Sequence, residues 1–171
     1  MTPTLFTARR ASPLGEMIVA WDEAGAVRIL DFATHEARAA AMLARHGEGA
    51  RIEPRALDTE LDDALEGYFS GRLDALQGLA VSTRGTAFQE QVWQALRTIA
   101  PGCTLSYGAL AVRMKRPTAV RAVGLANSQN PVAIITPCHR VIGANGRLVG
   151  YAGGMERKSW LLAHEGVTVR T

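Results

Sequence analysis

YGALAVRMKRPTAVRAVGLAN, residues 107–127, is the stretch on which the fold turns. It reads as two short helices, about Tyr107 to Met114 and Thr118 to Asn127, separated by Lys115-Arg116-Pro117. Two helices joined by so tight a basic turn suggest a helix-turn-helix. The second helix is made almost wholly of small or slender residues, Ala119, Val120, Ala122, Val123, Gly124 and Ala126, with Arg121 as its one long cation. Small side chains let a helix backbone approach a surface closely while a lone arginine projects beyond them, as entry into a narrow groove requires. The same composition also serves tight packing inside a core.

Working upstream, Thr86 and Gln89 form a capping box, and Phe88, Val92, Trp93, Leu96 and Ile99 mark one buried helix face that ends at Pro101-Gly102. Downstream, Val132-Ala133-Ile134-Ile135 is a strand-like apolar run. It leads into Thr136-Pro137-Cys138-His139-Arg140, where nearby positive charge would stabilise a thiolate. Neighbouring residues of a strand or helix do not face one another, so Cys138 and His139 communicate through a water or a bend, or not at all. Gly143-Ala144-Asn145-Gly146 is a turn, and Gly150-Tyr151-Ala152-Gly153-Gly154 pairs an aromatic with glycines that allow close approach of a flat ligand. A last helix runs from about Met155 to His164. Glu165 beside its glycine cap is either a solvated carboxylate or one that orients a histidine.

The first third of the chain reads as short strands, Leu5 to Ala8, Met17 to Trp21 and Val27 to Phe32, with hairpin chemistry at Asp22-Glu23-Ala24-Gly25. Helices follow over Ala37 to Arg45 and through Leu61, Leu65, Tyr68 and Phe69, the latter capped by Asp58 or Thr59 and stopped at Gly71. Nothing there groups a nucleophile, a base or metal ligands. The expected division is a structural lobe over 1–83 and a functional lobe over 84–171.

Charge divides at the same place. Residues 1–83 carry 8 Lys/Arg against 13 Asp/Glu, and residues 84–171 carry 11 against 3. A basic body favours a polyanion, and without a lysine-rich amphipathic helix nucleic acid is favoured over a membrane. No window approaches the about 20 apolar residues of a membrane span. Cys103 and Cys138 are too few for a disulfide framework or a thiolate zinc site, which points to free thiols in a reducing, cytoplasmic compartment.

Five ordered motifs complete the pattern: Arg121-Ala122-Val123-Gly124, Asn130-Pro131, Pro137-Cys138-His139-Arg140-Val141, Tyr151-Ala152-Gly153-Gly154, and Trp160 through Gly166. Together they resemble the O6-alkylguanine-DNA alkyltransferases almost continuously from Gly85 to Gly166, and weakly over the first lobe. The resemblance implies an α/β (α+β) fold, with an N-terminal lobe built on a small antiparallel sheet and a C-terminal helix-turn-helix lobe of winged-helix type. It further implies single-turnover repair, in which Cys138 accepts the alkyl group of O6-alkylguanine, and possible use of O4-alkylthymine, after the base is flipped from duplex DNA.

By the same resemblance His139 is the base acting through a water, Glu165 orients it, and Tyr107 neutralises the departing guanine. Asn130 is the hinge between recognition helix and acceptor. Arg121 replaces the extruded nucleotide, Ala122 lies on the helix that approaches the minor groove, and Arg113, Lys115 and Arg116 are candidates for phosphate contacts. Pro137, Leu148, Tyr151 and Gly153 wall the base pocket. No cofactor or metal is implied, and the protein is expected to be monomeric. Thr136, Val120 and Ser128-Gln129 depart from the common pattern without removing a chemical role. Two other readings are a lesion-sensing alkyltransferase-like protein, against which Cys138 argues, and a cysteine hydrolase, which leaves the basic helix-turn-helix unexplained.

Overall fold

The computed structural model describes residues 1–169; the end of the expected second lobe, at 171, lies outside them. The chain forms two compact units, Met1–Arg84 and one beginning at Gly85.

In the first unit β1 (Thr4–Arg10), β2 (Met17–Asp22) and β3 (Val27–Phe32) form an antiparallel meander. Asp22 closes the β2–β3 turn by accepting from the backbone N–H of Ala24 and Ala26, while Gly25 takes the left-handed conformation (φ 84°) that a side chain would resist. The helix α1 (Glu36–His46) packs on β3 and is followed by an unforeseen edge strand, β4 (Arg51–Pro54), which pairs parallel with β1. The sheet, ordered β3-β2-β1-β4, is therefore antiparallel with one parallel edge. Arg-Ile-Glu-Pro has no apolar alternation to betray it, and its proline suits an edge, where one side of the ladder is unpaired. The helix α2 (Thr59–Phe69) begins at Asp58, whose carboxylate accepts from Glu60 and Leu61 N–H. Its buried face is Leu61, Leu65 and Tyr68, while the sheet buries Val19, Trp21, Ile29, Leu30 and Phe32.

The second unit opens with α3 (Ala87–Leu96), started by the reciprocal Thr86–Gln89 capping box. The helix stops at Leu96, so Ile99 reaches the core from the turn beyond it and not from the helix face. A two-residue strand β5 (Leu105–Ser106) leads into α4 (Tyr107–Arg113), whose cap is Ser106, and then into α5 (Val120–Ser128). Between the two helices Lys115 adopts φ 60°. The expected start at Thr118 is two residues early. Val123, Ala126 and Asn127 face inward on α5, and Val120, Arg121, Ala122, Leu125 and Ser128 are exposed. Gly124 sits against Tyr107, where a Cβ would lie 3.7 Å from the ring. Small residues on this helix thus serve close packing against α4 on one side and an uncluttered exposed surface on the other.

The strand expected over Val132–Ile135 does not form. The run is buried, as its composition requires, but the backbone reverses, with Thr136 N–H bonding Val132 C=O at 3.0 Å and Ile134 held at φ 71°. Composition reports burial for a short apolar run and not its backbone shape. Cys138–Arg140 form a single 3-10 turn, β6 (Val141–Ile142) pairs parallel with β5, and α6 (Met155–His164) closes the unit. No described helix is long and apolar enough to cross a membrane.

Candidate active site

The placement of Cys138 begins at Asn130. Its buried amide donates from Nδ2 to Thr136 C=O at 2.8 Å and accepts Val132 N–H on Oδ1 at 3.0 Å, so one side chain spans the reversal. The same Thr136 carbonyl accepts Cys138 N–H at 2.9 Å. A β-branched residue at positive φ costs of order 1–3 kcal/mol and persists only where its surroundings over-determine it. Asn130 supplies much of that determination for Ile134, and the result is a cysteine turned inward on a tight turn. This cysteine belongs to one buried cluster with Val92, Leu96, Leu110, Val123 and Val141, and Tyr107 and Tyr151 pack against that cluster. Cys138 is buried, Cys103 is exposed, and neither forms a disulfide.

The 3-10 turn parts Cys138 from the next two residues, whose side chains converge on one carboxylate. His139 is fully buried and meets Glu165 through Nε2, 2.9 Å from Oε2. Arg140 reaches the same carboxylate as a fork, Nε to Oε1 and Nη2 to Oε2 at 2.8 Å each, and also donates from Nη1 to Ile99 C=O at 2.6 Å. Burial by itself would raise the Glu165 pKa. Hydrogen bonds from Arg140 and His139, with their charges, more than reverse that and hold it well below the usual carboxylate range. His139 is shifted the other way: burial lowers its pKa, helped by the charges of Arg140 and Lys158, against the pull of Glu165. The histidine is thus neutral at pH 7. A neutral imidazole beside an ionised carboxylate carries its proton on the shared nitrogen, which assigns the N–H to Nε2 and leaves the lone pair on Nδ1. Nδ1 is buried and has no hydrogen-bond partner among the described residues.

Tyr107, first residue of α4, is half-buried. Burial and the proximity of Cys138 raise its pKa, and a hydrogen bond with the Asn127 side chain opposes them, so the hydroxyl keeps its proton and can donate. Gly150 (φ 46°) passes so near that a Cβ there would lie 4.0 Å from the Tyr107 hydroxyl oxygen. Of the expected pocket walls, Pro137 and Gly153 are buried, and Leu148 and Tyr151 are half-buried. The Gly153 carbonyl accepts from Arg157 at 2.9 Å.

The expected phosphate-contacting residues lie apart from this interior. Arg113, Lys115 and Arg116 are exposed and line a concavity of about 810 Å³ together with Gln91, Gln94 and Thr98. Arg113 is hydrogen-bonded to Thr98 Oγ1 at 3.1 Å, and the Arg116 guanidinium lies 5.5 Å from the Phe88 ring centroid. Arg121 and Ala122 are exposed on α5.

Three residues escaped the sequence reading: Arg140 as the clamp on Glu165, Asn127 as the partner of Tyr107, and Lys158. Lys158 is fully buried, with Nζ donating to the carbonyls of Val141, Val149 and Gly150 at 2.6, 2.6 and 2.9 Å. A signal for it was available. Lys158, Leu161, Leu162 and Glu165 stand at i, i+3, i+4 and i+7, which puts both charged residues on the apolar face of the last helix.

The chain resembles known proteins over nearly its whole length. Residues 87–167 match the 6-O-methylguanine DNA methyltransferase, DNA binding domain. A methylated-DNA–protein-cysteine methyltransferase of Salmonella typhimurium is 45% identical over 164 residues, covering 95% of this chain and 96% of the relative. One from Methanosarcina mazei is 44% identical over 154 residues, covering 90% and 92%. Among solved structures, the Mycobacterium tuberculosis O6-methylguanine methyltransferase superposes with TM-score 0.76 at 39% identity, covering 95% of this chain and 93% of that one. A structure of the Mycobacterium tuberculosis protein in complex with DNA gives TM-score 0.76 at 38% identity, covering 95% and 92%. With its buried thiol, its clamped histidine and a likeness that runs nearly end to end, this chain belongs to the methylated-DNA–protein-cysteine methyltransferase family.

Proposed function

We propose that the protein repairs DNA by moving the alkyl group of O6-alkylguanine irreversibly to the Sγ of its own Cys138, once per molecule. The observation that carries this reading is the arrangement around His139: a neutral imidazole with Nε2 held by an ionised, Arg140-clamped Glu165, and a buried Nδ1 with no partner among the described residues, on the residue next to a buried thiol. A free thiol with pKa ~8.5 is only a few per cent ionised at neutral pH, so a base of this kind raises the population of the nucleophile.

In the transfer step His139 Nδ1 takes the thiol proton through a bridging water. The thiolate attacks the alkyl carbon, an S–C bond forms as the C–O6 bond breaks, and the electron pair passes to the guanine oxygen. Guanine leaves poorly as an anion. The protonated Tyr107 hydroxyl is the donor that neutralises the developing charge. A thioether has no ready hydrolytic route, so the reaction ends there. Glu165 and Asn130 are positioning residues, the first through His139 and the second through the acceptor turn. Pro137, Leu148, Tyr151 and Gly153 wall the guanine.

A DNA partner is supported by the matched DNA-binding domain and the DNA-bound relative. The site's burial requires that the damaged nucleotide be extruded, at a cost of a few kcal/mol in lost stacking and pairing. Arg121 fills the gap while the small-sided face of α5, with Ala122, lies in the minor groove. Arg113, Lys115 and Arg116 contact phosphates, and the protein acts as a monomer in the cytoplasm. Intact-mass spectrometry after mixing with an O6-methylguanine duplex tests the proposal. One methyl per chain, mapped to Cys138 and absent from Cys138→Ala, is expected. A methyl on Cys103, or several turnovers per protein, overturns it.

A further inference from the structure

The transfer mechanism above leaves one buried cation unused. An ammonium is among the groups least often taken from water, yet Lys158 on α6 is fully buried and, among the described residues, hydrogen-bonded only to backbone carbonyls. Three acceptors match the three N–H donors of an ammonium and exceed the two of a neutral amine, so the cage selects the charged form. Its members come from two segments. Val141 opens β6 directly after the Cys138–Arg140 turn, and Val149 and Gly150 lie in an irregular stretch that leads into Tyr151.

The charge balance of this interior gives the lysine a second role. The titratable groups it acts on are Cys138 and His139 on the acceptor turn, and the same interior holds buried Arg140 and Glu165 and the half-buried Tyr107. Arg140 is matched by Glu165 in a two-pronged ion pair. His139 is neutral, and Tyr107 keeps its proton. The charge of Lys158 therefore has no matching anion among these groups while Cys138 is a thiol. Burial lowers its pKa to about 8, and Cys138 draws it upward, the sign expected for an ammonium and a thiolate that stabilise each other.

We propose that Lys158 is a positioning residue of the transfer reaction: its ammonium ties the segment entering the Tyr151 wall to the strand leaving the acceptor turn, and makes the Cys138 thiolate the counter-ion this interior lacks. The proposal rests on the reading of Cys138 as alkyl acceptor. The two are separated by first mapping the methyl in the native protein: its absence from Cys138 defeats that reading before Lys158 is tested.

The test proper uses Cys103→Ser protein, so that iodoacetamide reports Cys138 alone, with Lys158→Met, Lys158→Gln and Lys158→Arg beside it. In Lys158→Met the pH midpoint of thiol modification is expected to rise far enough to cut the thiolate fraction at pH 7 about tenfold. Single-turnover reaction with free O6-benzylguanine should show a lower limiting rate and a higher half-saturating concentration. Raising the pH should restore the rate and not the half-saturation, because only the first depends on thiolate. Lys158→Arg should keep the midpoint closer to the parent's than Lys158→Gln does. Thiol profiles that coincide with the parent's in folded variants overturn the proposal.

Should the variants not fold, the native chain still decides. Coupling between two sites is reciprocal, so in an NMR titration of the Lys158 side chain the pKa must fall once Cys138 is methylated and can no longer ionise. An unchanged titration overturns the charge coupling.

Discussion

Replacing Glu165 by glutamine tests the tautomer argument at its root. Arg140 has no acceptor of its own, so the glutamine carbonyl must turn to the guanidinium and the amide NH2 must face His139 Nε2. That nitrogen then has to accept, the imidazole proton moves to Nδ1, and the lone pair assigned to the base is lost. Loss of general-base assistance costs about 10²–10⁴ in rate. Removing one partner of a buried ion pair costs about 3–5 kcal/mol, and about 3 is expected because Arg140 keeps one acceptor in the glutamine and another in Ile99 C=O. For a chain of this size that is a fall of about 6–12 °C in Tm. Quenched-flow single-turnover transfer from a methylated-guanine duplex, run from pH 6 to 10 with calorimetry alongside, separates the two effects. The rate deficit of Glu165→Gln should be greatest near pH 7 and should shrink above the ordinary thiol pKa of ~8.5, where ionisation no longer needs a base. An equal deficit at pH 7 and pH 9.5 would falsify the tautomer argument and assign Glu165 to packing.

Arg121→Ala should impair duplex repair far more than reaction with free O6-benzylguanine, with the deficit persisting in high salt, whereas Lys115→Ala should act through salt-sensitive DNA binding; equal slowing of duplex and free base would move Arg121 into the active site. Tyr107→Phe should lower the limiting transfer rate tenfold or more while leaving the iodoacetamide reactivity of Cys138 nearly unchanged, since the proposed mechanism puts the hydroxyl on the leaving group; a matching loss in both assays would defeat that role. Acid should destabilise the protein in two stages. His139 is held neutral in the fold, and the unfolded chain binds its proton below about pH 6.5, so stability falls as pH drops through that value. The contribution of Glu165, whose folded pKa is depressed, is present above about pH 4.3 and is lost as pH falls below it. Urea midpoints measured from pH 8 to 3 check both stages, and His139→Phe should abolish the first.

The two helices flanking Lys115-Arg116-Pro117, the capping box at Thr86 and the Asp58 cap were legible because they rest on hydrogen bonds within four residues, where the chain itself sets the geometry. The edge strand β4 was not, since its pairing with β1 is decided by backbone groups more than forty residues away and leaves no apolar alternation behind. The stretch 132–135 shows the same limit from the other side. Its burial followed from composition, but its reversal depends on the Asn130 amide substituting for a ladder that never forms.

By itself the sequence determined the residue types at the site and their order: a cysteine, a histidine and an arginine in succession, an isolated acid after the last helix, and a lone arginine on a small-sided helix. Tertiary structure alone decided which of those groups meet. A single 3-10 turn leaves Cys138 in the apolar cluster while its two successors both reach Glu165, which α6 brings back across 26 residues to His139 and 25 to Arg140. The tautomer of His139 and the ionisation of Glu165 follow from that meeting, and the charge of Lys158 from the three carbonyls that cage it. Each is a property of groups forced to share a water-poor interior, where an unpaired charge or donor is costly, and sequence spacing does not record which groups will share it.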